Sequence, residues 1–207
     1  MRSSALAYVA AFALSTVAWT QPASATLLSG LMNVDNLFTA YLSTNDTLLG
    51  TPIGSGTNWP TTYSVGGPLT GGVPNYLHVL ATDQGGPRMF IGQFSLSDTG
   101  FSFSNGTQGL LTNASNWQVS NTGFGVSYVP VSDEGPNGCC AWGNIPAVDA
   151  NARFIWGDLA TSVVYFSTTI TPNRVGGNPI PEPGSLLLLG TGLLSLAGVR
   201  RRRSRAK

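Results

Sequence analysis

Alternating apolar and polar positions dominate the middle of this chain. A period of two residues places successive side chains on opposite faces of a β-strand. The alternating runs are separated by clusters of Gly, Asn, Pro and Asp, which are typical of turns. The sequence therefore predicts strands at residues 34–42, 76–81, 90–96, 101–103, 117–119, 124–131, 154–156 and 163–170.

Several of the predicted strands present a well-defined face. Alternation separates Leu37, Thr39 and Tyr41 from Phe38, Ala40 and Leu42, groups Leu77, Val79 and Ala81, and groups Phe90, Phe94 and Leu96. Spacing typical of helices occurs only at the two ends of the chain. Roughly eight strands in one domain predict an all-β fold, a single jelly-roll-like β-sandwich.

The first 25 residues have the pattern of a secretory signal peptide. Arg2 supplies a positive charge, residues 5–18 are apolar, and Ala23-Ser24-Ala25 has the small-residue pattern that precedes cleavage. The alternative is a first transmembrane helix, for which the apolar run is short. The predicted mature chain begins at Thr26.

Three consecutive segments make up the C-terminus. Pro181-Glu182-Pro183 comes first, and the uncharged residues 184–199 follow, rich in Leu and Gly. As a helix those 16 residues would span roughly 24 Å, slightly less than a bilayer core of ~30 Å. The basic tail that ends the chain contains Arg200, Arg201, Arg202, Arg203, Arg205 and Lys207. Its charge predicts a cytoplasmic end, and an ordinary membrane anchor is the alternative.

The order of these three segments resembles the PEP-CTERM sorting signal over residues 181–207. The resemblance implies that Pro181, Glu182 and Pro183 are recognised by exosortase, a membrane processing enzyme. It also implies export from a Gram-negative bacterium that makes extracellular polysaccharide. The protein would be transiently anchored, then cleaved and released to the cell surface, the outer envelope or the extracellular matrix.

The charge of the chain changes once its two ends are set aside. The predicted domains are a sandwich at residues 26–172 and a linker at 173–180 rich in Pro, Gly and Asn. Residues 26–180 contain three Arg, no Lys and eight acidic residues, a net charge of −5. Without a basic patch, nucleic acid is not an expected partner.

A second resemblance concerns the predicted sandwich. Short patterns in it are similar to galactose-binding-like modules of bacterial surface proteins. They occur at residues 33–42, 54–59, 76–87, 154–156 and 165–170. The resemblance supports the fold, and Trp59 and Asp83, which begins an acidic Gly-Gly loop, are candidate ligand-binding residues within these patterns. Members of that fold bind different ligands, so it implies no specific function.

Few residues of the chain favour catalysis. His78 is the single histidine and alternates with Tyr76 and Leu80 in a predicted strand, so we expect a structural role. Glu134 is the only Glu of the predicted sandwich, and we place it in a Gly/Pro-rich loop. No nucleophile-elbow pattern accompanies His78. We therefore expect no enzyme activity, with a secreted hydrolase as the alternative.

Two adjacent cysteines are the only ones in the chain. Export favours oxidation, so Cys139 and Cys140 are candidates for a vicinal disulfide beside Trp142. Such a pair would form a flat ligand platform. The alternatives are two free thiols and a local staple that binds nothing.

Further binding candidates are aromatic or acidic. Trp59, Trp117 and Trp142 have the flat rings that stack on sugars, but we expect at least two of them to be mostly buried. Asp133 and Asp149 would offer oxygen ligands to calcium, although the EF-hand spacing is absent. A solvated acidic loop is the alternative.

These observations predict a non-enzymatic, exported protein of the cell surface or extracellular matrix. A carbohydrate-binding module, for which extracellular polysaccharide would be the partner, and a secreted hydrolase are the alternatives. A hydrolase should bring two acidic side chains to one concave site. A carbohydrate-binding module should expose Trp or Tyr on a sheet face or loop rim.

Overall fold

The computed structural model describes residues 25–157 and 161–173, which belong to one compact unit. These residues form thirteen β-strands and no helix. In chain order the strands are β1 (Leu27–Asp35), β2 (Leu37–Ser43), β3 (Thr51–Gly56), β4 (Tyr63–Pro68), β5 (Asn75–Thr82), β6 (Met89–Leu96), β7 (Phe101–Phe103), β8 (Gly109–Leu111), β9 (Gln118–Ser120), β10 (Tyr128–Val129), β11 (Ser132–Pro136), β12 (Arg153–Trp156) and β13 (Val163–Pro172).

The strands form two antiparallel sheets. Sheet A has the order β11-β12-β6-β1-β4, and β8 also pairs with β6. Sheet B has the order β10-β9-β13-β5-β2-β3, and β7 also pairs with β13. The predicted all-β class is confirmed, whereas the jelly-roll connectivity stays a prediction.

Alternation of side chains builds the core between the two sheets. Leu77, Val79 and Ala81 are completely buried, as their shared face predicts. Phe90, Phe94 and Leu96 reach the same core from β6. The opposite positions of the same strands therefore form the outer faces of the two sheets.

The strand predicted at residues 34–42 is wrong in its boundaries. The structure ends β1 at Asp35 and begins β2 at Leu37, and the chain passes from sheet A to sheet B between them. Val34 and Phe38 both face the core. Because the inward positions stay even-numbered through the crossing, the alternation does not reveal it.

The sequence prediction lacks β3, β4, β8, β11 and the first seven residues of β1. Gly or Pro is frequent in β3, β4 and β11, and Glu134 of β11 therefore lies on a strand rather than in a loop. Glycine serves close packing here, since a Cβ on Gly54 would lie 2.6 Å from Cγ1 of Val65. A low-propensity strand is tolerated where tertiary contacts require it.

The strand predicted at residues 124–131 is also too long. Only β10 forms within it, and Phe124 lies in the preceding turn. Gly125 has φ 69° and Ser127 has φ 47°, both in the left-handed region that an extended strand excludes. This turn carries Phe124 onto the outer face of sheet B.

A segment that we call the cover loop, residues 137–152, lies over the outer face of sheet A. It contributes Trp142, Ile145 and Val148 to a second hydrophobic cluster. Sheet A contributes Met89, Ile91 and Phe154 to this cluster. The cover loop therefore gives sheet A an apolar layer on its outer face as well.

The structure does not describe the predicted segments at the two ends of the chain. The signal peptide, nearly all of the linker and the sorting segment, including its basic tail, lie outside the described residues. Within residues 25–157 and 161–173, no helix has the length and apolar character needed to cross a membrane.

Candidate functional site

Polar side chains of β1 are buried beneath the loops that cover sheet A. Asn33 and Asp35 point outward from sheet A, opposite Ile91 and Met89 of β6. Trp142 Nε1 donates a hydrogen bond to Asp35 Oδ2 at 3.1 Å. Asn33 Nδ2 donates to the carbonyl oxygen of Trp59 at 2.8 Å. These two bonds tie the cover loop and the loop after β3 to the same strand.

Asp35 has an unusual electrostatic environment. Burial raises the pKa of its carboxyl group, the Trp142 hydrogen bond opposes that shift, and the nearby charge of Asp83 adds to it. The second oxygen of Asp35 and the side-chain oxygen of Asn33 are both buried and have no hydrogen-bond partner. Unpartnered buried oxygens cost free energy, so β1 carries a local destabilisation beneath the cover loop.

Asp83 lies near this cluster and is already engaged. It accepts a bond from Arg88 Nε at 2.9 Å and from the Gly85 amide at 3.1 Å. Arg88 also donates to the carbonyl oxygen of Thr161 at 3.2 Å. This network holds the loop after β5 against the segment that precedes β13.

Two of the three residues predicted to contact a ligand, Trp142 and Asp83, act on Asp35, and the third, Trp59, contacts Asn33 of the same strand. Trp59 and Trp142 pack in the same hydrophobic cluster, and Asp83 acts on Asp35 through its charge. Trp142 is 9% exposed and Asp83 is 5% exposed, whereas Trp59 is half-buried. Burial of Trp142 and of Trp117, which is 3% exposed, confirms that at least two of the three tryptophans are mostly buried. Ligand binding at these residues stays a prediction.

The two cysteines are joined by a disulfide bond in the structure. The Cys140 sulfur lies 3.1 Å from the carbonyl oxygen of Glu134, and both sulfurs lie against Gly135 of β11. Gly135 has φ 122°, so the absence of a Cβ serves both its backbone conformation and this close approach. The disulfide therefore sits where the cover loop meets the edge of sheet A, close to Trp142 in sequence.

The two candidate calcium ligands make protein contacts. Asp133 forms an ion pair with Arg153 and accepts the Gly135 amide at 3.0 Å. Asp149 accepts the amide of Asn151 at 2.8 Å. Among the described parts of the chain, no group of three His, Cys, Asp or Glu side chains is arranged to hold a metal. Calcium binding at these residues stays a prediction.

The outer face of sheet B has a different character. We call Tyr41, Tyr76 and Tyr165 the tyrosine face, since all three are half-buried on the outward side of adjacent strands. Tyr41 lies directly opposite His78, and His78 lies opposite Ser167. The three tyrosines therefore surround His78 on the sheet surface.

His78 itself is completely buried. Its ring stacks on Phe124 with a centroid separation of 4.1 Å, and its Nε2 lies 3.4 Å from Asp46 Oδ1. Burial lowers the pKa of His78, although the neighbouring Asp46 carboxylate opposes the shift. Burial therefore favours the neutral imidazole beneath Phe124, and the structural role expected for His78 stays a prediction.

Asp46 joins the loop after β2 to the rest of sheet B. It accepts a hydrogen bond from Tyr128 Oη at 2.8 Å and from Ser167 Oγ at 3.0 Å. Burial and the adjacent Asp46 carboxylate raise the pKa of Tyr128 to about 12. Ser167 thus donates to Asp46 rather than to His78, which is not the geometry of an activated nucleophile.

A shallow groove of about 370 Å³ lies beside the tyrosine face. It is lined by Leu37, Phe38, Thr39, Ser55, Gly56, Thr57, Leu80 and Thr82. None of these side chains is charged. Thr39 precedes Tyr41 by two residues on the same face of β2, so the groove and the tyrosine face form one surface.

Sequence reasoning missed this surface. Tyr41 and Tyr76 were visible as outward members of alternating strands, but nothing in the pattern showed that β2 and β5 are neighbours. Asp35 and Asp46 were missed for the same reason, because their partners Trp142 and Ser167 are 107 and 121 residues away in the chain.

Comparison with known proteins identifies the C-terminal segment. Residues 179–203 match the family model for the PEP-CTERM protein-sorting motif. No curated protein and no solved structure matches the chain, so the similarity to galactose-binding-like modules is not confirmed. The chain thus carries a PEP-CTERM protein-sorting motif, which indicates an exported, transiently membrane-anchored protein processed by an exosortase, a membrane enzyme.

Proposed function

We propose that the chain is a non-enzymatic protein of the cell surface or extracellular matrix, and that its tyrosine face binds neutral polysaccharide. The observation that supports this most is the combination of half-buried tyrosines with an uncharged groove on one sheet face. Its final location after processing would be outside the cell, in a bacterium that produces extracellular polysaccharide.

The chemistry of the surface suits a sugar. Tyrosine rings offer flat apolar contact together with a hydroxyl group that hydrogen-bonds. The groove adds hydroxyl groups from Thr39, Ser55 and Thr82 beside the apolar side chains of Leu37 and Leu80. Ligand sites commonly combine an apolar lining with a few polar groups that set orientation. A neutral glycan matches a lining without charges.

The positions of the acidic groups support a non-enzymatic role. Glycoside hydrolysis generally requires two carboxyl groups at one site. Among the residues that line four pockets in the described parts of the chain, Asp149 is the single carboxylate. Asp35 and Asp83 are buried. His78 is covered by Phe124, and Ser167 is bonded to Asp46.

A glycan array probed with the full-length protein in mild detergent tests the proposal. We expect binding to neutral glycans, and we expect Tyr41→Ala and Tyr76→Ala to weaken it by about tenfold each, as for loss of an aromatic contact. Leu31→Ala is the matched control, because Leu31 is half-buried on the outer face of sheet A. Equal loss in the control, no binding at all, or new reducing ends in the bound glycan would contradict the proposal.

The finer details of sorting are also part of the proposed function. Residues 184–199 would form the transient membrane helix, and Arg200, Arg201, Arg202 and Arg203 would hold its end in the cytoplasm. Pro183 would favour an extended Glu182, because a residue before proline is disfavoured in the helical region. An extended Pro181-Glu182-Pro183 segment at the membrane surface would be accessible to a processing enzyme.

Intact mass spectrometry of the surface protein tests this arrangement. We expect a C-terminus upstream of Leu186, and we expect replacement of Pro181, Glu182 and Pro183 by Ala to leave the protein in the membrane fraction. A mature surface protein that keeps the complete Arg tail would mean that the segment is only an anchor.

A further inference from the structure

Exposed apolar side chains are unevenly distributed over the sandwich. Within residues 25–157 and 161–173, the large apolar side chains that are exposed are Leu27 (51%), Leu48 (60%), Leu49 (49%), Val73 (38%), Val126 (43%) and Val163 (36%). Single exposed apolar residues are common and need no explanation, whereas a group at one place marks an interaction surface.

Strand register places four of the six at the same end of the sandwich. Leu48 and Leu49 lie in the loop after β2, whose last residue, Ser43, is opposite Tyr76 near the start of β5. Val73 lies two residues before β5 begins. Leu27 begins β1 and is opposite Pro68, the last residue of β4. We call Leu27, Leu48, Leu49 and Val73 the apolar end.

A pocket connects the loops of the apolar end. It has a volume of about 510 Å³, and Leu48, Pro68 and Asn75 are among its lining residues. The Asn75 side chain donates to the carbonyl oxygen of Val73 at 3.0 Å, and its Oδ1 accepts from the Thr70 amide at 2.9 Å. These bonds hold the loop before β5 in a defined position beside Leu48.

The chain leaves the sandwich at this same end. Ile170 of β13 is opposite Asn75, so β13 ends beside the loop that carries Val73. Asn173 then donates its amide to the carbonyl oxygen of Gly100 at 2.9 Å. The sorting motif begins at residue 179. A separation of six residues spans at most roughly 21 Å, even when fully extended.

We propose that, while the protein is membrane-anchored, the apolar end docks on the surface of the lipid bilayer, with Leu48 and Leu49 as the inserted pair. The short connection to the sorting motif keeps this end within reach of the membrane. Insertion of exposed leucine side chains into the interface removes apolar surface from water. The docking is released when the sorting segment is cleaved, because the connection to the anchor is lost.

The charges of the apolar end indicate which lipid it contacts. The loops between β2 and β3 and between β4 and β5 contain no Lys or Arg. Their one carboxylate, Asp46, is bonded to Tyr128 and Ser167. Asp98, which accepts a hydrogen bond from Thr26 beside Leu27, adds a further negative charge at this end. Because the loops that carry Leu48, Leu49 and Val73 offer no cation to anionic headgroups, the docking through them is apolar and suits zwitterionic lipid. The inference depends on the sorting motif and not on glycan binding, so the two proposals fail independently.

Variants of the full-length protein with one introduced cysteine, labelled at that cysteine, test the docking in phosphatidylcholine vesicles. Both native cysteines are in the disulfide, so an introduced cysteine is the free thiol. Leu49→Cys and Val73→Cys carry a polarity-sensitive fluorophore at the apolar end. Val163→Cys is the matched control, because Val163 is exposed at the opposite end of β13. We expect nitroxide-labelled lipid to quench the first two labels several-fold more than the control.

Three outcomes would overturn the docking. The first is equal quenching at Leu49→Cys and Val163→Cys. The second is quenching that requires anionic lipid, which would indicate electrostatic attraction instead. The third is quenching that requires added exosortase, which would make the apolar end a protein-docking surface. A Leu48→Ser/Leu49→Ser double variant labelled at Val73→Cys gives a second measurement, and we expect its quenching to fall to the control level.

Discussion

The outer faces of the two sheets differ in how they meet solvent. The outer face of sheet A carries Met89, Ile91 and Phe154 and is closed by the cover loop. The outer face of sheet B carries half-buried tyrosines and an uncharged groove, and Phe124 covers it at His78 and Tyr165. An apolar face must be covered to be stable, whereas a face of tyrosine and threonine tolerates water and remains available for binding.

Each outer face also buries one ionisable group. Asp35 lies beneath the cover loop and His78 lies beneath Phe124. Burial disfavours the charged form of both, so it raises the pKa of the acid and lowers the pKa of the base. The contributions of the two faces to the free energy of unfolding should therefore change with pH in opposite directions.

The largest expected effect is a difference in how much each outer face contributes to the free energy of unfolding. We expect Trp142→Ala to lower the free energy of unfolding by about 3–5 kcal/mol, because it removes a buried indole and leaves Asp35 without its donor. Tyr41→Ala should cost less than half as much, since Tyr41 is half-buried on an open face. Urea unfolding of both variants measures the difference. Similar losses in the two variants would mean that the tyrosine face is also a structural layer.

The next effect concerns Asp35. A raised folded-state pKa contributes stability that is present below the ordinary value of 3.8 and is lost as pH rises through the folded value. Asp35→Asn keeps an acceptor for Trp142 and removes the charge. We expect the variant to be more stable than the natural protein at pH 7 by about 1 kcal/mol, with equal stability near pH 3. Urea midpoints across this range measure it, and a less stable variant at pH 7 would contradict the burial argument.

The smallest expected effect has the opposite sign and concerns His78. A lowered folded-state pKa contributes stability that is present above 6.5 and is lost as pH falls through the folded value. His78→Gln should therefore reduce the loss of stability below pH 6.5, by about 1 kcal/mol or less, because Asp46 partly offsets the burial. The slope of urea midpoints against pH measures this. An unchanged slope would show that His78 does not set the acid response of sheet B.

Prediction from sequence succeeded where alternation reflects burial. The core faces of β5 and β6 follow from Leu77, Val79 and Phe90, because their alternating positions turn toward the core between the two sheets. It failed at β3, β4 and β11, where Gly and Pro mask strand propensity. It also failed at residue 36, where the chain changes sheets without changing the period of its inward positions.

The candidate site was less accessible to sequence reasoning than the core. The sequence predicts ligand contacts at Trp59, Asp83 and Trp142, but no local pattern indicates the buried Asp35 on which Trp142 and Asp83 act. The tyrosine face required the knowledge that β2, β5 and β13 are adjacent. Pairing of distant strands depends on the packing of the complete core, which no local pattern contains.

Local patterns along the chain are enough to predict the all-β class, the inward faces of the main strands and the sorting motif at residues 179–203. These properties are local, because a period of two residues and a short linear motif are read along a single segment. The packing of distant strands sets which outer face is closed, where Asp35 and His78 are buried, and that Leu48 and Val73 lie at the same end as the chain exit. Those properties depend on contacts between segments far apart in the chain, and such contacts form only when both sheets pack together.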